Sequence, residues 1–254
     1  MNLIYQYWNG ERPQGAVAGS ENMKAYARRI GAAYWCYLNE PYMAGDLARY
    51  FDLLRPLWDP AFQEFERVLF VDHDVFAVEG LEANIFDEPL ADIGMCEELG
   101  MPAYRDGRTK HINGVADHVW ARLIKSTWGI TIPLDEQGRV RVFNSGVVMY
   151  RMAAAQKLAR VFITIREYIA AVRNSNLSGF YAIDQNYMDA MVHLNSVNFT
   201  EMHVEWNRQV HGKDDGSVYD ERTDQTKFVH IQLSGADDRD AAWHDGIVNG
   251  KTPP

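Results

Sequence analysis

Arg67-Val68-Leu69-Phe70-Val71-Asp72-His73-Asp74-Val75 decides the reading of this chain, because an apolar, strand-like run delivers two acids, one residue apart, into a turn. Val68–Val71 is β-branched and aromatic, as expected of a strand buried on both faces. Strands of that kind belong to parallel sheets covered by helices. Such a strand cannot hold two bare carboxylates, so Asp72 and Asp74 are expected at or beyond its carboxyl end, where open α/β sheets bind ligands. At the two-residue period of an extended chain their side chains point to one side. Both oxygens can then reach a single hard cation, Mg²⁺ or Mn²⁺. His73 turns the other way, to a structural role or one supporting the acids from behind. An isolated Asp-x-Asp also reads as a solvated turn, because Asp favours turns, so other segments have to decide.

Composition narrows the choice. The 254 residues, 47% hydrophobic, suit one fairly large α/β domain, and no linker divides them. The formal charge of −10 and the sequence pI of about 5.2 argue against a nucleic-acid or anionic-membrane surface. An anionic substrate would need a local positive centre, which a bound cation provides. Cys36 and Cys96 are too few for a disulfide framework or a cysteine zinc cluster, so a reducing cytoplasm is expected. Met1–Trp8 has no basic region followed by a long apolar run, and no segment approaches the roughly twenty apolar residues of a membrane span. No long heptad repeat is present.

Leu3–Trp8 reads as a first strand and Asn9–Gly19 as a long loop, with Ser20 capping a helix through Met23, Tyr26, Ala27 and Ile30. Ala33–Leu38 reads as a second strand, Ala44–Leu57 as a helix stopped near Pro56, and Ala61–Phe65 as a short helix before the Asp-His-Asp strand. That alternation is the signature of a parallel sheet with right-handed crossovers. Beyond it, Asp92–Cys96 is a candidate strand, Gly100–Gly114 a flexible loop and His118–Trp128 a helix. Val140–Tyr150 holds apolar runs on either side of Asn144-Ser145-Gly146. Met152–Val172 has helical spacing, Asp184–His193 reads as another helix and Phe228–Leu233 as a late strand.

Four segments, in this order, resemble the nucleotide-sugar-dependent glycosyltransferases of the GT-A fold, particularly glycosyltransferase family 8. They are Val68-Leu69-Phe70-Val71-Asp72-His73-Asp74, Phe143-Asn144-Ser145-Gly146-Val147-Val148-Met149, Ile183-Asp184-Gln185-Asn186 and Phe228-Val229-His230-Ile231. The opening Ile4-Tyr5-Gln6-Tyr7-Trp8, with Tyr26-Ala27 and Gly31-Ala32-Ala33-Tyr34, adds to the similarity, which runs from about residue 3 to residue 235. The resemblance implies a single GT-A (Rossmann-like) domain with a mixed, mostly parallel central sheet flanked by helices. Its nucleotide-binding part covers about residues 1–100 and its acceptor and catalytic part about 101–254.

The same resemblance implies roles. Asp72, Asp74 and His230 are expected to coordinate Mn²⁺ or Mg²⁺ bridging the diphosphate of a UDP- or GDP-sugar, and carboxylates with an imidazole suit Mn²⁺ better. Asn144, Ser145 and Gly146 are expected near the donor sugar and a glycan or other hydroxyl acceptor. Asp184 and Gln185 are expected beside the anomeric carbon, although Asp184 is equally a helix N-cap. Tyr5 and Gln6 sit where relatives contact the nucleotide, with Tyr5 a candidate to stack on the base, and Trp206-Asn207 is the best of several tryptophan sugar platforms. The family's late lysine is missing, none occurring between His230 and Lys251, and Arg239 is the candidate replacement. Transfer with retention is implied; an inverting enzyme would need a general base, for which Asp184, Glu97 and Glu98 are the candidates. Two other readings share these acids: a sugar nucleotidyltransferase, for which Gly10–Gly15 is a faint phosphate loop, and a non-catalytic nucleotide-sugar binding module. Gly100–Gly114 and Gly212–Thr226 are candidate lids over the site.

Overall fold

The computed structural model describes residues 1–43 and 48–250. Within them the chain runs through β1 (Asn2–Trp8), α1 (Gln14–Arg29), β2 (Ala33–Leu38), the short helices α2 (Ala48–Phe51) and α3 (Arg55–Trp58), and β3 (Arg67–Val71). After the turn that carries Asp72 and Asp74 come β4 (Val75–Ala77), β5 (Ile93–Glu97), α4 (Met101–Asp106), α5 (Gly114–Trp128) and the long β6 (Phe143–Arg151). Then follow α6 (Ala155–Val161), α7 (Ile165–Arg173), α8 (Asp184–Val192), β7 (Phe199–Met202), β8 (Arg208–Gly212), β9 (Val218–Asp220), β10 (Phe228–Gln232) and α9 (Ala241–Val248).

Six strands form the main sheet in the order β2-β1-β3-β6-β5-β7. Every pairing is parallel except those of β6, which runs against β3 on one side and β5 on the other. The sheet is buried on both faces, and the two-residue alternation shows it. Leu3, Tyr5, Val68, Phe70, Val148 and Tyr150 join one apolar cluster, while Ile4, Leu69, Val71, Val147 and Met149 join the other. This is the mixed, mostly parallel α/β architecture that the resemblance implies, whereas the all-parallel surroundings expected of the Asp-His-Asp strand hold on its β1 side only, since β6 runs against it. No helix among the described residues is long and apolar enough to cross a membrane.

A smaller sheet, β4-β10-β8-β9, stands beyond the carboxyl end of β3. The chain leaving β3 passes straight through the acidic turn into β4, which lies antiparallel to β10. The turn is thus the joint between the two sheets, and α1 braces it. Gly19 of α1 packs so closely that a Cβ there would stand 1.8 Å from the His73 carbonyl oxygen. Gly19→Ala is therefore expected to cost about 1–3 kcal/mol, as overpacked sites do. Urea unfolding would check this, and an unchanged midpoint would show that the helix moves aside freely.

Several local expectations need correction. α1 begins at Gln14, its first turn set by Pro13 in an extended conformation, so Ser20 lies inside the helix and donates to the Ala16 carbonyl instead of capping. The helix expected over Ala44–Leu57 lies partly outside the described residues. Its described part is broken by a 3-10 turn at Asp52–Leu54, and Pro56 sits in the first turn of α3. Gly100–Gly114 is not one loop, because α4 buries Met101, Pro102 and Arg105. Gly212–Thr226 contains β9. Met152–Val172 is interrupted where Thr164 caps α7 by accepting from the Glu167 backbone N–H.

Candidate active site

The acidic turn is held from both sides. Asp72 N–H donates to the Gly146 carbonyl on β6 at 2.9 Å, and Ile231 N–H on β10 donates to the Asp74 carbonyl at 2.8 Å. His230, opposite Val75 in the β10–β4 pairing, faces back toward the acids. One ligand atom from each of Asp72, Asp74 and His230 can be chosen so that all lie within 4.8 Å of one another. His230 Nε2 stands 3.0 Å from Asp74 Oδ1, with His230 buried and Asp74 41% exposed. At a bond length of roughly 2.2 Å, neighbouring ligand atoms of a hard cation lie about 3 Å apart, so the donor set fits one such ion. His230 can come this close because residue 146 is glycine: a Cβ there would lie 2.6 Å from the ring's Cε1.

The three groups shift one another's protonation. Burial and the neighbouring charge of Asp74 push the Asp72 carboxyl well above its ordinary value. Burial also works against ionising Asp74, but the His230 imidazole outweighs it and holds that acid below the usual range. Burial alone would lower His230; Asp74 and Asp72 together raise it to about 9. A divalent ion would satisfy both carboxylates at once.

Asp184 is the first residue of α8 and not its cap, which is Ile183. Its Oδ2 accepts from Ser145 Oγ at 2.8 Å, and its charge reaches Asp72. Burial raises the Asp184 carboxyl to about 6, against the Ser145 hydrogen bond. A carboxyl raised in the folded state binds its proton more tightly there than in the unfolded chain. Its contribution to stability is therefore full below about pH 3.8 and lost as pH rises through about 6. Relative to Asp184→Asn, the wild-type chain is expected to lose unfolding free energy over that window. Parallel urea titrations across the window would refute this if the difference stayed flat.

The sequence-derived residues divide into two groups. Asp72, Asp74, His230, Ser145, Asp184 and Gln185 assemble at one end of the main sheet, where a cleft of about 440 Å³ is lined by Tyr7, Trp8, Gly15, Asp72, Asp74 and Asp237 among others. Tyr5 and Gln6 do not reach it. Tyr5 is fully buried, hydrogen-bonded to Asp52 and packed edge-on against Tyr37 and Phe62, so it has no face for a base. Gln6 is spent inside, donating to the Asp72 carbonyl at 3.1 Å and accepting from Tyr34 Oη at 2.7 Å. It shapes the turn from within.

Asn144 is buried as well, its Nδ2 donating to Glu98 and lying 3.4 Å from Gln185 Oε1. Arg239 is exposed, its guanidinium 5.7 Å from the centre of the Trp243 ring. Lys251 lies outside the described residues. Trp206 is core, donating through Nε1 to Glu88, and Trp120 is buried against Tyr168, so neither is a sugar platform. Glu97 is paired with Arg141 and Glu98 is buried, whereas Asp184, itself largely buried, meets Ser145 and has its charge felt at Asp72. His73 turns away, Nδ1 meeting Ser20 Oγ and the Ala16 carbonyl, as alternation predicts. Asn207, expected beside a Trp206 platform, stands instead on the Nδ1 side of His230 with Gln209, which the sequence did not single out; the polar side chain two residues after Asn207 was the signal.

No protein-family model and no curated protein sequence matches the chain. Solved structures do. The WbbM bifunctional glycosyltransferase superposes with a TM-score of 0.56 at 11% identity over 94% of this chain, which spans 46% of that longer one. A glycosyltransferase involved in the glycosylation of the major capsid of PBCV-1 gives a TM-score of 0.50 at 14% identity, covering 97% of this chain and 98% of its own. With β6 antiparallel in the main sheet, the joint at Asp72–Asp74 and these two likenesses, the chain has the GT-A fold of glycosyltransferases.

Proposed function

We propose that the chain is a metal-dependent glycosyltransferase that moves a hexose-like sugar from a UDP- or GDP-sugar to a hydroxyl of a glycan or other acceptor, with retention at the anomeric carbon. One observation carries the reading: Asp72, Asp74 and His230 converge from two sheets beside Asp184 and Ser145. Mn²⁺ is the favoured ion, because an imidazole joins two carboxylates. Held by that triad, it supplies Lewis-acid neutralisation of the charge on the leaving diphosphate. Asp184 binds sugar hydroxyls, and the Gln185 amide oxygen steadies positive charge at the anomeric centre. Trp8, half-buried on the cleft, takes the aromatic role that Tyr5 cannot.

Donor binding falls to about residues 1–100 and acceptor binding to about 101–254, with His230 reaching across. Cys36 and Cys96 are both free, and we assign the protein to the cytoplasm. Arg239 is two residues beyond the cleft-lining Asp237 and is our candidate for the diphosphate. Arg239→Ala is expected to weaken nucleoside-diphosphate affinity roughly tenfold, the worth of one charge-assisted hydrogen bond; unchanged affinity by calorimetry would remove it. A panel of UDP- and GDP-sugars with Mn²⁺, Mg²⁺ or EDTA, scored by nucleoside-diphosphate release, tests the function. Release from one donor in Mn²⁺ supports transfer. Tight donor binding with no release or transfer would make the chain a binding module.

A further inference from the structure

A histidine holds a cation through one ring nitrogen only when that nitrogen carries no proton, and what the other nitrogen meets decides which is free. At His230 the Nε2 edge faces Asp74 Oδ1, while Nδ1 lies 3.2 Å from Asn207 Oδ1. A side-chain amide can be turned over, oxygen for nitrogen, so the orientation of Asn207 has to follow from its surroundings.

Those surroundings begin at a group that cannot be turned over. The backbone N–H of Gly146 donates to Asn144 Oδ1 at 2.7 Å, which fixes that atom as oxygen and leaves Nδ2 to donate to Glu98. The same Asn144 Oδ1 lies 2.8 Å from the Asn207 amide. An amide oxygen only accepts, so the Asn207 atom facing it is Nδ2. Asn207 Oδ1 is thereby aimed at His230, and an oxygen beside Nδ1 demands the proton there.

Gln209 does not change this. As placed, its Nε2 lies 3.4 Å from Asn207 Oδ1 and 3.3 Å from His230 Nδ1, with Oε1 unpartnered. Its donation to Asn207 Oδ1 agrees with that atom being an oxygen, and Asn207 Oδ1 is the nearer of the two groups to Nδ1. On the other edge, Nε2 faces Asp74 Oδ1 at 3.0 Å and the Gln232 side-chain amide at 3.2 Å, so it is the edge open to the cation site. Asn144, Asn207, Gln209 and His230 are each at most 1% exposed, so bulk water offers Nδ1 no substitute partner.

We propose that Asn207 is a positioning residue which, held by Asn144 and the Gly146 N–H, keeps the His230 proton on Nδ1 so that Nε2 offers its lone pair to the cation shared with Asp72 and Asp74. The inference rests on the cation reading above and extends it: a side chain that does not itself ligate the ion sets its affinity.

The test is uptake of Mn²⁺ by the full chain, followed by loss of the free-ion electron paramagnetic resonance signal. Asn207→Leu is expected to weaken uptake by about 10- to 100-fold, the usual effect of removing a histidine ligand's outer partner. Gln209→Leu, an equally buried change, is expected to leave it close to wild type. Equal affinity of Asn207→Leu and wild type would overturn the proposal. An equal loss in Gln209→Leu would do the same by giving Gln209 the role.

Should Asn207→Leu fail to fold, the wild-type chain still decides. With ¹⁵N-labelled histidine and Zn²⁺ as a diamagnetic substitute, the resonance lost in His230→Gln is expected to show the proton on Nδ1; a metal-bound Nδ1 would overturn the proposal. Folded wild type that takes up neither ion would remove the cation reading, and the proposal with it. That outcome is distinct from uptake that ignores Asn207.

Discussion

Asp74→Asn is expected to lower Mn²⁺-dependent release of nucleoside diphosphate by roughly three orders of magnitude, about 4 kcal/mol of transition-state stabilisation. Asp74 is the accessible carboxylate of the pair, 41% exposed, and its Oδ1 meets His230 Nε2 at 3.0 Å. Asparagine keeps the shape and one oxygen but removes the charge that the cation needs. The Asp74 backbone carbonyl still accepts from Ile231 N–H, so the turn keeps its anchor to β10. Steady-state kinetics at saturating Mn²⁺ would check the loss. A variant within tenfold of wild type would mean that the ion, if used, sits elsewhere.

Asp117→Ala is expected to destabilise the chain by about 3–5 kcal/mol, the cost of stranding one member of a buried ion pair. Asp117 on α5 and Arg105 on α4 are 4% exposed, with Nη1 and Oδ1 3.2 Å apart. Tyr181 Oη donates to the same carboxylate at 2.7 Å, so one acid ties α4 and α5 to the segment that leads into α8. Alanine would leave a guanidinium buried with Nε already unpartnered. Replacing both partners by apolar residues of similar volume, Arg105→Met with Asp117→Leu, is expected to recover most of the loss. Urea unfolding decides: a cost under about 1 kcal/mol for Asp117→Ala would show a solvated pair.

The sequence made the centre of the fold legible and obscured its edges, for physical reasons. Val68–Val71 announces a strand covered on both faces because every position is apolar, and the acids directly after it mark where that cover ends. β6 was harder to read as one element. Asn144-Ser145-Gly146 looks like an interruption, and the pairing with β5 does slip there, from Met95 opposite Val148 to Cys96 opposite Asn144, yet the strand runs on, with Glu98, Asn207 and Asp184, from distant segments, satisfying the polar side chains. No local pattern reports such partners.

The start of α1 was hidden by Gly10, Pro13, Gly15 and Gly19, which resemble a loop. Gly15 and Gly19 have no room for a Cβ because the Ala236 and His73 carbonyl oxygens pack against them. Tyr5 and Trp206 were attractive aromatic platforms only while their burial was unknown. At the site, motif order identified the ligating and acidic side chains, whereas the nearness of Asn207 and Gln209 to His230 emerged only once β8 and the residue before it lay beside β10.

The central claim is that a nucleoside diphosphate binds through a cation held by Asp72, Asp74 and His230. Isothermal titration of UDP and GDP into the full chain, with Mn²⁺ and with EDTA, tests it most directly. One of the two nucleotides is expected to bind in Mn²⁺, with binding lost in EDTA and in Asp74→Asn. Equal affinity with and without the cation would contradict the account.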